Sequence, residues 1–482
     1  MDTLEPKSLW NYFQAICAIP HPSHHEETLA RWILETAKNL GFEATIDATL
    51  NVIVKKPASP GYENHKGVML QAHIDMVPQA LPEAHHDFTK DAIKPVINGE
   101  WVTAQKTTLG ADNGIGVAAA LSVLADKTLK HGPLECIFTT NEEDGMSGAR
   151  GLSSIGIKGT YLINLDGEDC NEITLGCAGT ARITSLYNSK GTSEGLSSLT
   201  WYSITLTGLL GGHSGVDIHR GRGNAGILLC KLLLETGVPY VANLESGTAA
   251  NAIPRDAQAI IGIPKNDTDW LNRFNSAILS LQAEFAKTDP GLTVNITETE
   301  PPDYALVPAA VTPILKALLA LPNGLLSVEP SNPSWTRTSS NLGIVKIKHE
   351  DRGMFFVETY NLVRSSDEKE KNEIVESIES ILFKLGATTR KTSSAPAWEP
   401  DQTTNLAQTA ISVFSKLFNK EPLLSCTHGA LECGLFRTLY PSWEMISIGP
   451  TIQYPHSPDE RVHIGSVQQF WTYLTALLAE LP

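Results

Sequence analysis

Strand-like and helix-like segments alternate at both ends of this chain and not in its middle, and that interruption restricts the fold more than any other feature. At the N-terminal end, "EETLARWILETAKNLG" has helical periodicity and closes at Gly41, with Ser23 and Glu26 spaced as a capping box for its start. "NVIVKK" and "GVMLQAH" have the look of strands, "NGIGVAAALSVLAD" is an Ala-rich helix opening at Asn113, and "PLECIFTTN" and "TYLINLD" return to strand. Strand and helix in turn predict a mostly parallel sheet flanked by helices. Near residue 186 the character changes. "TWYSITLTGL", "AQAIIGI", "LGIVKIK" and "GMFFVETYNLVR" are strand-like, with helices "NAGILLCKLLLETG" and "DWLNRFNSAILSLQAEFAK" between them. "NLAQTAISVFSKLF", "EMISIGP" and "SVQQFWTYLTALLAEL" then restore the alternation. The expected architecture is an α/β domain of residues 1–186 and 396–482, interrupted by an α+β domain of residues 187–395, with "KTSSAPAWEP" (Lys391 to Pro400) as the linker out.

The chemistry sits where strands end. "VMLQAHIDMV" runs apolar residues into His73 and Asp75. "TLGADNGIG" carries Asp112, "FTTNEEDGM" carries Glu142 and Glu143, "LINLDGE" carries Asp166, and "IGPTIQYPHSPDE" adds His456. In open α/β sheets the functional crevice lies beyond the carboxyl ends of the strands, so these segments aim at one edge. Several carboxylates in one cleft repel unless cations compensate. His73, Asp112, Glu143, Asp166 and His456 form a mixed nitrogen and oxygen donor set that suits zinc or a similar divalent ion. Two such ions balance three carboxylates and a hydroxide, whereas one leaves the site negative, so the arithmetic favours a hydrolytic two-metal site. Adjacent Glu142 and Glu143 invite a division of labour between proton acceptor and ligand. "HPSHHEE" imitates a ligand cluster, but the start of a helix accounts for it better.

Composition narrows the alternatives. Lys and Arg number 37 against 53 Asp and Glu, a formal charge of −16, which repels nucleic acid. No apolar run of membrane-spanning length occurs, and the start "MDTLEPKSLWNYF" lacks the features of a signal peptide, so neither membrane nor export is expected. Seven cysteines without a C-x-x-C pair fit a reducing cytosol.

In order, "LQAHIDMV", "TTLGADNGIG", "EEDGMSGA", "LINLDGE", "GLLGGHSGVDIHRGRGNA", "NAIPRDA", "HGALECGLF" and "SIGPTIQYPHSPDERVH" span nearly the whole chain. The sequence thereby resembles the zinc-dependent aminoacyl-histidine dipeptidases (peptidase D, cytosolic non-specific dipeptidases), relatives of aminoacylases and glutamate carboxypeptidases. The resemblance implies that His73 and Asp166 hold one zinc, Glu143 and His456 a second, and that Asp112 bridges them. It implies a supporting bond from Asp75 to His73, a cis Asp112–Asn113 peptide, and Glu142 as general base. It further implies that the middle domain is a lid that closes over the substrate. There His213, with His219 as the competing choice, stabilises the oxyanion, while Asn251, Arg364 and Gly429 bind substrate, the first two by its C-terminal carboxylate. The implied activity is hydrolysis of dipeptides, Xaa-His and carnosine-like ones among them, with two divalent ions, zinc first and manganese or cobalt as alternatives. A cytosolic homodimer with His213 acting in cis is the expected assembly.

The sequence also departs from that pattern. Asp144 follows the glutamate pair, Thr180 replaces a smaller residue, and Gly429–Ala430 is exchanged relative to the usual order; Asp144 is expected to face solvent. An N-acyl-amino-acid amidohydrolase on the same scaffold shares the ligands and the carboxylate grip. A non-catalytic metal- or peptide-binding protein is the rival of a different class, though binding alone has no use for Glu142 as a base.

Overall fold

The computed structural model describes residues 1, 3–152 and 156–482. The chain forms two compact units: residues 1–176, 399–426 and 431–482 in one, residues 177–398 and 427–430 in the other.

The first unit is built on an eight-stranded sheet in the order Glu43–Ile46, Val52–Lys56, Leu134–Thr139, Val68–His73, Tyr161–Asn164, Glu444–Ser447, Glu172–Cys177, Leu423–Thr427. The four central strands run parallel, as segments joined through helices must, and antiparallel pairs flank them. Val68–His73, Leu134–Thr139 and Tyr161–Asn164 are buried along their whole length, which is why they lack polar alternation. The Ala-rich helix Ala111–Ala125 is buried from Ala111 to Leu124, so it is apolar on every side. Its glycines are steric requirements: a Cβ at Gly116 would stand 2.7 Å from Leu165 O, and one at Gly114 3.0 Å from Phe13. Phe13 and Trp10 of the helix Lys7–Cys17 are fully buried in the same core. Each large apolar side chain so placed contributes about 1.5–3 kcal/mol.

The second unit carries a nine-stranded sheet whose assigned pairs are all antiparallel, centred on the long strands Gly179–Lys190, Asn332–His349 and Met354–Ser365. Helices Ala225–Glu235, Trp270–Glu284, Pro308–Ala320 and Glu368–Leu385 contribute to its separate core. Two local expectations change. The first half of "KTSSAPAWEP" is not a linker: Thr388–Ala395 is a strand paired with Gly179–Lys190, its exposed polar side chains marking a sheet edge. The helix Glu27–Asn39 has no side-chain cap, because Ser23 and Glu26 are engaged elsewhere. No helix among the described residues is long and apolar enough to cross a membrane.

Candidate active site and metal centre

Three adjacent parallel elements deliver the site. Val68–His73 ends on His73, Leu134–Thr139 leads through Thr140 and Asn141 to Glu142 and Glu143, and Tyr161–Asn164 leads to Asp166. Asp112 stands at the start of the buried helix, where the Asp112–Asn113 peptide is cis. His456 comes from a loop tied down by a small four-stranded sheet, in which Ile452–Gln453 and Arg461–His463 join the hairpin Pro95–Asn98 and Trp101–Ala104. Arg461 reinforces that loop, its guanidinium lying 4.4 Å from the Trp101 ring centre and 5.2 Å from that of Tyr454.

These segments place the five expected ligands together. His73 Nε2 lies 3.1 Å from Asp112 Oδ1 and 3.3 Å from Asp166 Oδ1. His456 Nε2 lies 3.3 Å from Asp112 Oδ2 and 3.0 Å from Glu143 Oε1. The two oxygens of Asp112 therefore face two different imidazole–carboxylate groups. The 3.0 Å approach of His456 lacks hydrogen-bond geometry, and Glu143 Oε1 is buried without a hydrogen-bond partner. An orphaned oxygen beside an imidazole nitrogen and a shared aspartate suits a divalent cation, and ligand atoms of His73, Asp112 and Glu143 all fall within 4.8 Å of one another.

The electrostatics agree with that fit. Burial pulls His73 down, but Asp166, Asp112 and Asp75 overcome it and hold the imidazole well above its ordinary range. The Asp112 and Glu143 carboxylates beside it push His456 up to about 11. Burial works to raise Asp112, yet His456 and His73 hold it far below the carboxylate range. Asp166 is driven up to about 7, chiefly by burial. Carboxylates that would hold protons on both imidazoles would equally hold divalent cations in their place.

Glu142 sits beside this group, its carboxyl raised well above the usual range by burial and then by the neighbouring acids Asp166, Glu143 and Glu432. Asp75 sets the geometry of the glutamate pair. Its carboxylate accepts the backbone N–H of Glu142 at 2.9 Å and of Glu143 at 3.2 Å, and the Ser23 hydroxyl at 2.8 Å. His73 Nδ1 is 3.1 Å from the Asp75 carbonyl oxygen and 3.4 Å from its carboxylate, so both parts of the residue bear on the ring. Ser23, expected as a helix cap, thus supports the site, while Glu26 accepts the Asn141 N–H at 3.0 Å. Asp144 faces solvent and pairs with His24 at 2.9 Å.

Two acids gave no signal in the sequence. Glu460, 2 % exposed, accepts the backbone N–H groups of Leu109, Gly110, Ala111 and Asp112 at 2.7, 3.0, 2.8 and 3.2 Å. Glu432 lies beneath the site, accepting from Gln71 Nε2 at 2.5 Å and Thr139 Oγ1 at 2.7 Å. Gln71 in turn accepts from Asn164 at 2.6 Å, and Asn164 Oδ1 receives the Asp166 N–H at 3.2 Å. A buried polar chain therefore crosses the strand ends just behind the candidate ligands.

The second unit holds the remaining candidates. His213 is exposed at a short bridge to Ala252; its Nδ1 accepts the Gly215 N–H at 3.2 Å, which puts the neutral ring's proton on Nε2. His219 lies in the short turn Ile218–Arg220. Asn251 is exposed, and its carbonyl accepts the Ser214 N–H at 2.8 Å. Arg364 is 7 % exposed and, among the described residues, meets only neutral acceptors, Ser214 Oγ at 3.5 Å and the His428 carbonyl at 3.3 Å. Burial lowers its guanidinium to about 10, with Arg182 adding to the effect. Gly429 follows His428, its N–H donated to Thr427 Oγ1 at 3.2 Å. Thr180 stands opposite Arg364 in the strand register.

This fold and site define a peptidase. The chain belongs to peptidase family M20/M25/M40, whose family model matches residues 69–480. It is 42 % identical over 487 residues to the cytosol non-specific dipeptidase of Escherichia coli, covering 100 % of this chain and 99 % of that one. The crystal structure of aminoacylhistidine dipeptidase from Vibrio alginolyticus superposes with a TM-score of 0.91 at 40 % identity, covering 100 % of this chain and 98 % of that one. Aminopeptidase PepT from Bacillus cereus shares the fold at a TM-score of 0.64 and 16 % identity, over 99 % of each chain.

Proposed function

We propose that this chain is a cytosolic, metal-dependent dipeptidase acting on Xaa-His and other dipeptides. The observation that carries the reading is the two-sided environment of Asp112, each oxygen facing its own histidine and carboxylate. On this reading His73 and Asp166 hold one divalent ion, Glu143 and His456 a second, and Asp112 is shared, with zinc the first choice of metal and manganese or cobalt the alternatives. Bound there, a metal pair supplies Lewis-acid polarisation of the scissile carbonyl and a water acidic enough to attack it near neutral pH.

The chain's own residues do the rest. Glu142 accepts the proton of the attacking water and returns it to the leaving amine, a role suited to a carboxyl whose basicity burial has raised. Asp75 fixes Glu142 and Glu143 through their backbone N–H groups. His213 donates Nε2–H to the oxyanion. Arg364, a buried cation with no anionic partner among the described residues, receives the substrate's C-terminal carboxylate together with Asn251, and Gly429 lines that contact. The inserted unit acts as the lid, within a homodimer in which His213 serves its own chain.

The test is hydrolysis of Ala-His by the purified chain before and after chelation. Activity should vanish with the metal and return with zinc, manganese or cobalt, with two ions bound per chain. Metal-loaded protein that leaves a panel of dipeptides intact refutes the reading.

A further inference from the structure

A dipeptide places one more demand on its site. Its α-ammonium nitrogen is separated from the scissile carbonyl carbon by a single atom, roughly 2.5 Å away. The group that receives this cation must therefore stand beside the groups that handle the carbonyl.

The acids around the centre separate by their partners. Asp112, Glu143 and Asp166 face the two imidazoles. Asp75 is filled by Ser23 and two backbone N–H groups, and Glu432 by Gln71 and Thr139. Glu460 takes four N–H groups, and Asp144 pairs with His24. Of the acids named here together with Glu168, only Glu142 and Glu168 show no carboxylate hydrogen bond or ion pair among the described residues, and Glu142 is committed to proton transfer.

Glu168 is well placed. It follows Asp166 by two residues, its carbonyl accepts the Ile452 N–H at 3.1 Å, and the Gly167 N–H goes to Ile448 O at 3.2 Å. A Cβ at Gly167 would lie 2.6 Å from Gly449 N, so the two loops touch along their backbones and only glycine fits between them. The Glu168 loop is thereby pinned between Asp166 and the segment that runs on to His456. The residue as a whole is exposed, and its carboxyl is pushed up to about 8, by burial first and then by Asp112 and Asp166.

We infer that Glu168 receives the α-ammonium group of the substrate and makes a free N-terminus a condition of efficient cleavage. The inference rests on the dipeptidase reading and deepens it, because an N-acylated amino acid offers no such cation. Glu168 acts here as a specificity residue.

The decisive comparison is Ala-His against propionyl-histidine, the same skeleton without the amine, assayed with the metal-loaded full chain and with Glu168→Gln. The wild type should favour Ala-His by about 10- to 100-fold in kcat/KM, the usual range for one charge-assisted contact. In the variant that preference should collapse toward one, through a higher KM for Ala-His, with turnover of propionyl-histidine and metal content unchanged; Glu168→Asp should restore part of it. A variant that keeps the wild-type preference overturns the inference alone, as does one that loses metal, which would make Glu168 a ligand. A wild type inert toward Ala-His overturns the dipeptidase reading itself, and the inference with it.

Discussion

Glu460 and Asp112 are joined through the backbone: the Glu460 carboxylate accepts the Asp112 N–H and the three N–H groups before it. The helix that begins there has Gly110 as its N-cap and no side-chain cap of its own, so Glu460 does the capping from 348 residues away. Glu460 also follows His456 by four residues. One carboxylate thus couples the shared aspartate to the loop carrying the second histidine.

Replacing Glu460 with Gln should therefore be costly. Glutamine offers one acceptor oxygen and turns an NH2 group toward N–H donors. The variant should lose about 2–4 kcal/mol of stability in urea denaturation and bind fewer than two metal ions per chain. Wild-type midpoint and metal content would show that the clamp does not matter.

Glu142→Gln separates chemistry from binding. The substitution keeps shape and removes basicity, so kcat on Ala-His should fall by about 10²- to 10⁴-fold. Metal content should stay at the wild-type level, because Glu142 is not among the groups facing either imidazole. Turnover within a few-fold of wild type would exclude it as the base.

How far the sequence carried these conclusions depends on distance along the chain. The parallel strands announce themselves because complete burial erases polar alternation, and each ends at, or within four residues of, an ionisable residue that a core has no use for. The residues that hold those ends in place are silent. Glu460 looks like any acid in a polar loop, since its four partners lie some 350 positions away. Glu432 and Gln71 likewise acquire meaning only when two distant segments meet. Ser23 misleads outright: its spacing to Glu26 fits a local cap, but a buried carboxylate at Asp75 is a stronger claim on its hydroxyl than a solvated helix end. The Lys391–Pro400 stretch misleads for a related reason, since an edge strand facing water has the polar composition of a linker.

Arg364 should trade stability for function. A buried guanidinium with only neutral acceptors costs desolvation without an ion pair in return. Arg364→Met should raise stability by about 1–3 kcal/mol, while kcat/KM for Ala-His falls by about 100-fold, mainly through KM. Cleavage of the amide Ala-His-NH2, which lacks the carboxylate, should change little. A variant that is less stable, or that loses both substrates equally, would assign Arg364 a structural role.

His428 gives the second unit a dependence on pH. Its ring is 8 % exposed and hydrogen-bonds Ser339 Oγ through Nε2 at 2.7 Å. Burial, then the nearby Arg364 cation, depresses it to about 3, against an ordinary value of about 6.5. The native ring is therefore neutral through the mildly acidic range, where the unfolded chain gains a proton. Between pH 6.5 and 3 the unfolded state binds more protons, so stability falls as pH is lowered, by up to about 1.4 kcal/mol per pH unit from this group. His428→Gln can keep a bond to Ser339 but cannot titrate. Urea denaturation of both proteins at pH 7, 6 and 5 should give a variant whose stability declines less steeply by close to one proton. The other titrating groups cancel in that difference, so parallel curves would mean that His428 takes up its proton equally well folded and unfolded.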